Sequence, residues 1–121
     1  MYELKKSVIF RGKREFGTVY NRGRSYANGQ LVIYVMPSTD LEGRIGFAAG
    51  KKLGGAAVRN RIKRMLREAY RLTQHELDPN YAIIMVGRKK LIDAKCDAVI
   101  SAFRDLCIRA KILIPISKSV D

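Results

Sequence analysis

The sequence has no tryptophan, one histidine, two cysteines and only 11 acidic residues among 121. Each shortage excludes something. With His75 alone and no Cys-x-x-Cys pair, a zinc site lacks its ligands. Cys96 and Cys107 fall on one expected helix, about 16 Å apart along its axis at about 1.5 Å per residue. A disulfide needs Cα atoms within about 7 Å, so these two cannot pair with each other. Free thiols fit a reducing cytoplasm. No apolar run approaches the roughly 20 residues that span a bilayer, and the opening MYELKKSVIF lacks the apolar stretch of a signal peptide. A cytoplasmic protein with no membrane partner is expected. No Ser-His-Asp or Cys-His set stands out, and Asp40 and Glu42, in an expected turn, make a poor general acid–base pair. Gly54-Gly55 lacks the Lys-Ser/Thr of a phosphate loop and reads as a tight lead into a helix.

Positive charge is abundant. The 24 Lys and Arg give a formal net charge of +13, while 47 % hydrophobic residues are enough for a folded core. One compact domain, residues 1–121, suits this length. A surplus this large repels itself and calls for a neutralising partner, for which nucleic acid is the leading candidate. The charge is also clustered. Residues 1–26 carry net +5 and residues 51–71 net +7, against −1 for residues 27–50 and +2 for residues 72–121. Charge kept for solubility would be spread more evenly.

The hydrophobic pattern predicts a short helix over residues 13–21, with Phe16, Val19 and Tyr20 on its apolar side and Gly23 after its end. QLVIYVM (30–36) reads as a strand with Leu31, Ile33 and Val35 on one face and Val32, Tyr34 and Met36 on the other. A turn at residues 40–43 and a second strand at 44–49 suggest an antiparallel hairpin. A long helix follows, from about residue 57 to near His75. YAIIMV (81–86) reads as a buried central strand, and residues 93–110 as a final helix with a stripe from Ala98 to Ala110. Residues 112–116 suggest a short extended end. The fold class is α/β of the two-layer α+β kind, a mixed sheet covered by helices. Its order is α-β-β-α-β-α, with room for one more strand before the long helix.

Projected at about 100° per residue, the long helix puts Val58, Ile62, Met65, Leu66, Ala69, Leu72 and Thr73 on one arc. Asn60, Lys63, Arg64, Arg67 and Arg71 fall on the opposite arc. Asn60, Arg64, Arg67 and Arg71 make a ladder roughly 16 Å long, flanked by Arg59 and Arg61 and preceded by Lys51 and Lys52. Like charges at i, i+4 cost a few tenths of a kcal/mol per pair, and only Glu68 offers local relief. A phosphate-binding face accepts that repulsion, and arginine can fork onto phosphate oxygens or stack on a base.

The stretch KKLGGAAVRNRIKRMLREAYR (51–71), with Arg59-Asn60-Arg61 at its centre, resembles the signature of the bacterial ribonuclease P protein family. The resemblance extends upstream through the residues at 15–28 and LVIY (31–34), and covers about the first ninety residues. It implies one α/β domain with a left-handed βαβ crossover, although right-handed is the general rule. It further implies a protein that assists a catalytic RNA in cutting the 5′ leader from precursor tRNA, with Mg²⁺ held mainly by the RNA, none bound tightly by the protein, and no obligate protein partner. Binding to the catalytic RNA would fall to Lys51, Lys52, Arg59, Asn60, Arg61, Lys63, Arg64, Arg67 and Arg71. A separate cleft between the basic helix and the sheet would hold the leader on Phe16, Tyr20 and Tyr34, where the family often has Phe at the position of Tyr20. From the residues alone, the three aromatics read more simply as core. A general or ribosomal RNA-binding protein, a DNA-binding helix and a protein-only nuclease are the alternative functions.

Overall fold

The computed structural model describes Ile9 and residues 13–37 and 44–114. Within them the chain forms α1 (Lys13–Arg22), β1 (Arg24–Ala27), β2 (Leu31–Pro37), β3 (Ile45–Ala49), α2 (Ala56–Thr73), β4 (Tyr81–Gly87) and α3 (Cys96–Ala110). The expected turn at 40–43 and residues 115–116 of the expected extended end lie outside the described residues. Leu113 makes an antiparallel bridge to Leu77.

The four strands form one mixed sheet in the order β1-β2-β4-β3. β2 is antiparallel to both β1 and β4, whereas β3 runs parallel to β4. The hairpin expected between the strands at 30–36 and 44–49 does not form. β1 and β4 occupy the two sides of β2, and β3 pairs with the far side of β4. The apolar strand β4 thus takes a central place, with two neighbours satisfying its backbone. The connection β3–α2–β4 is the βαβ unit that the resemblance implies. The additional strand before the long helix is β1, a short edge strand with mostly exposed side chains. It is joined to β2 by a turn built on Asn28. The Asn28 side-chain oxygen accepts from the amides of Gln30 and Leu31, both at 3.1 Å, and its amide nitrogen donates to the Ala102 carbonyl at 3.0 Å, tying the turn to α3.

The strand alternation sends Leu31, Ile33, Val35, Ile45, Ile83 and Met85 into the main core, against Ile62 and Leu66 of α2 and Phe103 and Leu106 of α3. α1 packs on the opposite face of the sheet. There Val19, Ala82 and Ile84 make a second, smaller core with Phe16, Tyr34, Met36 and Val86 at its margin.

Two glycines permit close approaches. A Cβ at Gly23 would lie 2.6 Å from the Val19 carbonyl oxygen and 3.0 Å from that of Val35, so only glycine lets α1 turn directly into β1. A Cβ at Gly87 would lie 2.4 Å from Ile62 Cγ2. Ile62 is fully buried and β-branched, so it has little room to turn aside. Gly87→Ala should therefore destabilise the protein by about 1–3 kcal/mol, read as a lowered midpoint in urea unfolding. An unchanged midpoint would show that α2 is not seated this tightly on β4.

Burial also sets the alkaline limit. The Tyr70 hydroxyl and the Cys107 thiol both sit in the main core, and desolvation pushes each up to about 12. Both groups are neutral when protonated, and both titrate lower in the unfolded chain. Their contribution to stability is fully present below about pH 9 and is lost as pH rises toward 12. Unfolding midpoints should hold from neutral pH to about 9 and then fall steadily.

Candidate nucleic-acid interface

The lead into α2 follows from β3. After Gly50 the chain makes a single 3₁₀ turn, Lys51–Leu53, which leaves Lys51 and Lys52 exposed at the end of the sheet. Gly54 then takes φ +144, a conformation that side-chain-bearing residues rarely adopt. Gly55 is the N-cap of α2.

α2 buries Ile62, Leu66, Ala69, Tyr70 and Thr73, close to the projected arc. Tyr70 is the addition. Its ring stands edge-on to Phe47, 6.1 Å between centroids, and lies 6.4 Å from Phe103. Among the residues projected onto or beside the polar face, Asn60, Arg61, Arg64 and Arg67 are exposed, whereas Arg59, Lys63 and Arg71 are half-buried.

Their surroundings divide them. Arg67 places its guanidinium carbon 5.6 Å from the centroid of the Phe47 ring. A guanidinium lying on a ring keeps the N–H groups of its edge available, so this contact pre-orients Arg67 without using up its donors. Arg71 is held within its own helix: Nε donates to Glu68 Oε2 at 2.9 Å, and a second hydrogen bond joins the same two groups. That pairing holds the Glu68 carboxyl below the usual range. Arg61 turns toward the connection after β4 and donates to the carbonyls of Ile92 and Ala94. Arg59 Nε is buried with no hydrogen-bond partner among the described residues. The ladder read from the sequence is thus open at Asn60, Arg64 and Arg67, while Arg71 at its far end is already neutralised.

The aromatic residues gather elsewhere. Phe16 and Tyr20, one helical turn apart on α1, have ring centroids 6.2 Å apart and near-parallel planes. Tyr34 of β2 meets Tyr20 edge-on at 4.7 Å. An ion pair between Glu15 and Arg44 at 2.7 Å fixes α1 to the start of β3. Tyr20 is 37 % exposed, and Phe16 and Tyr34 are half-buried. Burial, then the neighbouring Tyr34, raises the Tyr20 hydroxyl above its ordinary pKa. Beyond the rings the sheet surface continues through Val32 and Val86, half-buried register partners, toward the end where Lys51 and Lys52 follow β3.

This placement corrects one expectation. Phe16, Tyr20 and Tyr34 come together between α1 and the sheet, not between the basic helix and the sheet. α2 packs on the face of β2 that carries Leu31, Ile33 and Val35, and the two-residue period of a strand puts Tyr34 on the other. Sequence reading also passed over Arg88, Lys89 and Lys90, three consecutive exposed cations after β4. Segment charge hid them, because acidic residues elsewhere in that segment offset them. Three adjacent cations were the available signal.

The sequence profile of the family described as "Ribonuclease P" matches residues 4–111 of this chain. The chain belongs to the ribonuclease P protein family. Relatives named "Ribonuclease P protein component" include one from Symbiobacterium thermophilum, 38 % identical over 111 residues that cover 91 % of this chain and 96 % of the relative. Another, from Shouchella clausii, is 33 % identical over 114 residues, 93 % of each chain. Among solved structures, the RNase P protein of Staphylococcus aureus superposes with a TM-score of 0.79 at 27 % identity, covering 90 % of this chain and all of that one. The RNase P protein of Thermotoga maritima gives 0.74 at 26 % identity, covering 83 % and 94 %.

As a member of the family, the chain is the protein component of an endoribonuclease that matures tRNA 5′ ends, and it works with ribonuclease P RNA. No described helix is long and apolar enough to cross a membrane. Among the described residues there is no group of three or more His, Cys, Asp or Glu that could hold a metal ion.

Proposed function

We propose that the outer face of α2 seats this protein on the ribonuclease P RNA, while the cleft between α1 and the sheet holds the single-stranded 5′ leader of precursor tRNA. The observation that carries this reading is the separation of two chemically distinct surfaces by one sheet. Exposed Arg64 and Arg67 lie with α2 on one side, and the Phe16–Tyr20–Tyr34 cluster lies with α1 on the other. Arginine-rich helices suit the phosphates of structured RNA, with Lys51, Lys52, Arg59 and Lys63 adding to the field around α2 and Asn60 offering an uncharged hydrogen-bonding group. Half-exposed rings suit unstacked bases, which bind by stacking at about 1–3 kcal/mol per base. Lys51 and Lys52, at the end of the sheet toward which the cleft floor runs, are placed to meet phosphates near either surface.

The protein's part is binding and alignment. In this reading the RNA subunit performs the hydrolysis and holds the Mg²⁺ it requires. The protein raises the affinity for precursor over mature tRNA through the leader and acts in the cytoplasm without an obligate protein partner. Adding this protein to a bacterial ribonuclease P RNA at low Mg²⁺ should restore cleavage of precursor tRNA, while the protein alone cleaves nothing. Equal affinity of the assembled particle for precursor and mature tRNA would overturn the leader assignment. Absence of any stimulation would overturn the whole reading.

A further inference from the structure

α1 runs across the sheet from one edge to the other. Its 10 residues span about 15 Å at about 1.5 Å per residue, close to the roughly 14 Å across four strands. At its C-terminal end Gly23 turns the chain directly into the edge strand β1, and the Gly23 amide donates to the Val19 carbonyl at 2.8 Å. At the other end Glu15, in the first helical turn, pairs at 2.7 Å with Arg44, the residue before the edge strand β3. The Arg44 backbone is held in place, because its carbonyl accepts from the Ile83 amide of β4 at 3.0 Å. Between these two anchors only Val19, of the described α1 side chains, is buried. A helix seated by one buried side chain depends on its ends.

Phe16 and Tyr20 sit between the anchors, and Phe16 follows Glu15 directly in the chain. The C-terminal anchor is covalent and cannot open. The N-terminal anchor can, because the Arg44 and Glu15 side chains are 40 % and 20 % exposed. An ion pair this exposed favours its closed geometry only about two- to fivefold. Opening it would carry Phe16, with the Tyr20 ring stacked on it, away from Tyr34 and leave α2 and the main core as they are. Glu15 is also the only acidic residue between Lys13 and Ala27. A carboxylate beside an RNA site repels phosphate, so its presence there calls for a use of its own.

We propose that Glu15 and Arg44 are positioning residues for the 5′ leader. Their ion pair holds α1 at the spacing at which Phe16 and Tyr20 meet Tyr34, and so sets how strongly the assembled particle prefers precursor over mature tRNA. Neither side chain touches RNA in this role. The proposal rests on the reading of the Phe16–Tyr20–Tyr34 cleft as the leader site. A cleft ordered before the leader arrives costs less to occupy. The gain in affinity cannot exceed the bias of the pair toward the closed geometry.

Charge reversal is the test, because direct electrostatics and positioning predict opposite signs. Glu15→Arg adds two positive charges beside the cleft, so attraction alone would tighten precursor-tRNA binding by the assembled particle. Repulsion from Arg44 should instead open the cleft and weaken that binding about tenfold, with affinity for mature tRNA unchanged. Glu15→Gln, which removes only the attraction, should weaken it about two- to fivefold. The swap Glu15→Arg/Arg44→Glu rebuilds the pair with its signs exchanged and should return precursor affinity to within about twofold of the original. Tyr20→Ala serves as the reference. If Tyr20→Ala weakens precursor binding and Glu15→Arg tightens it or leaves it unchanged, the positioning role is overturned while the leader reading stands. If Tyr20→Ala has no effect, the leader reading itself fails. A swap no better than Glu15→Arg would make one of the two side chains a direct contact and overturn the proposal. Loss of RNA-subunit affinity and of Tm along with precursor affinity in Glu15→Arg would make the pair a support of the whole fold, which also overturns it.

Discussion

Replacing Arg64 and Arg67 together by alanine is expected to weaken binding to the ribonuclease P RNA by at least roughly a hundredfold. The charge-assisted hydrogen bonds they offer are worth about 1.5–3 kcal/mol each, and each 1.4 kcal/mol is about tenfold in affinity. The salt dependence should change with the affinity: two fewer neutralised phosphates flatten the log–log slope by about two. The two residues are not equivalent in the free protein. Arg64 is exposed, so its loss should leave stability nearly unchanged. Arg67 covers the Phe47 ring, and its removal should cost about 0.5–1 kcal/mol of stability as well. Arg71→Ala should affect RNA binding least of the ladder, because its charge is already met by Glu68. An Arg71 effect as large as that of Arg64 would show that the Glu68 pair opens on binding.

The aromatic cleft gives the second large effect. Tyr20→Ala or Tyr34→Ala should weaken precursor-tRNA binding by the assembled particle roughly 5- to 150-fold, the range expected for loss of one stacked base. Binding of the RNA subunit should stay unchanged. Tyr20 is the cleaner probe, because it is the most exposed of the three and contributes least to the small core around Val19, Ala82 and Ile84. Tyr20→Phe keeps the ring and should keep most of the affinity. Thermal unfolding separates the outcomes: a large drop in Tm for Tyr34→Ala, with no change specific to the leader, would identify the ring as core.

These two surfaces were unequally legible. The α2 face could be read almost completely, because a helix writes its two sides into the sequence with a period of 3.6. Ile62, Leu66, Ala69 and Thr73 are buried where the projection put them, and Asn60, Arg64 and Arg67 are exposed. The projection could not foresee that Arg61 and Arg71 are engaged within the protein. Their partners, the carbonyls of Ile92 and Ala94 and the carboxylate of Glu68, depend on tertiary placement and on rotamer choice. Tyr70 lies between the two arcs and is buried because Phe47 and Phe103 close around it.

The sheet shows where local reading stops. The strands at 31–37 and 45–49 follow each other in the chain, and adjacency suggested a hairpin. Which strand pairs with which is decided by long-range packing, and here the apolar strand at 81–87 takes the place between them. β1 is hard to read locally because RSYA has no alternating apolar face, and as an edge strand it buries only part of one side chain. The cleft falls between these extremes. Alternation put Tyr34 opposite the main core, and helical spacing put Phe16 and Tyr20 on one side of α1. Only the fold joins the two, and it does so across the face of the sheet that α2 does not use.

The division of labour between two faces is tested most directly by crossing the two variants against two binding measurements. The Arg64→Ala/Arg67→Ala protein and the Tyr20→Ala protein are each measured for affinity to the ribonuclease P RNA. At saturating protein, each assembled particle is then measured for affinity to precursor tRNA. The predicted result is a clean exchange: the arginine variant loses RNA-subunit affinity and keeps leader-dependent substrate affinity once assembled, and the tyrosine variant does the reverse. Equal loss of both affinities by either variant would contradict the account.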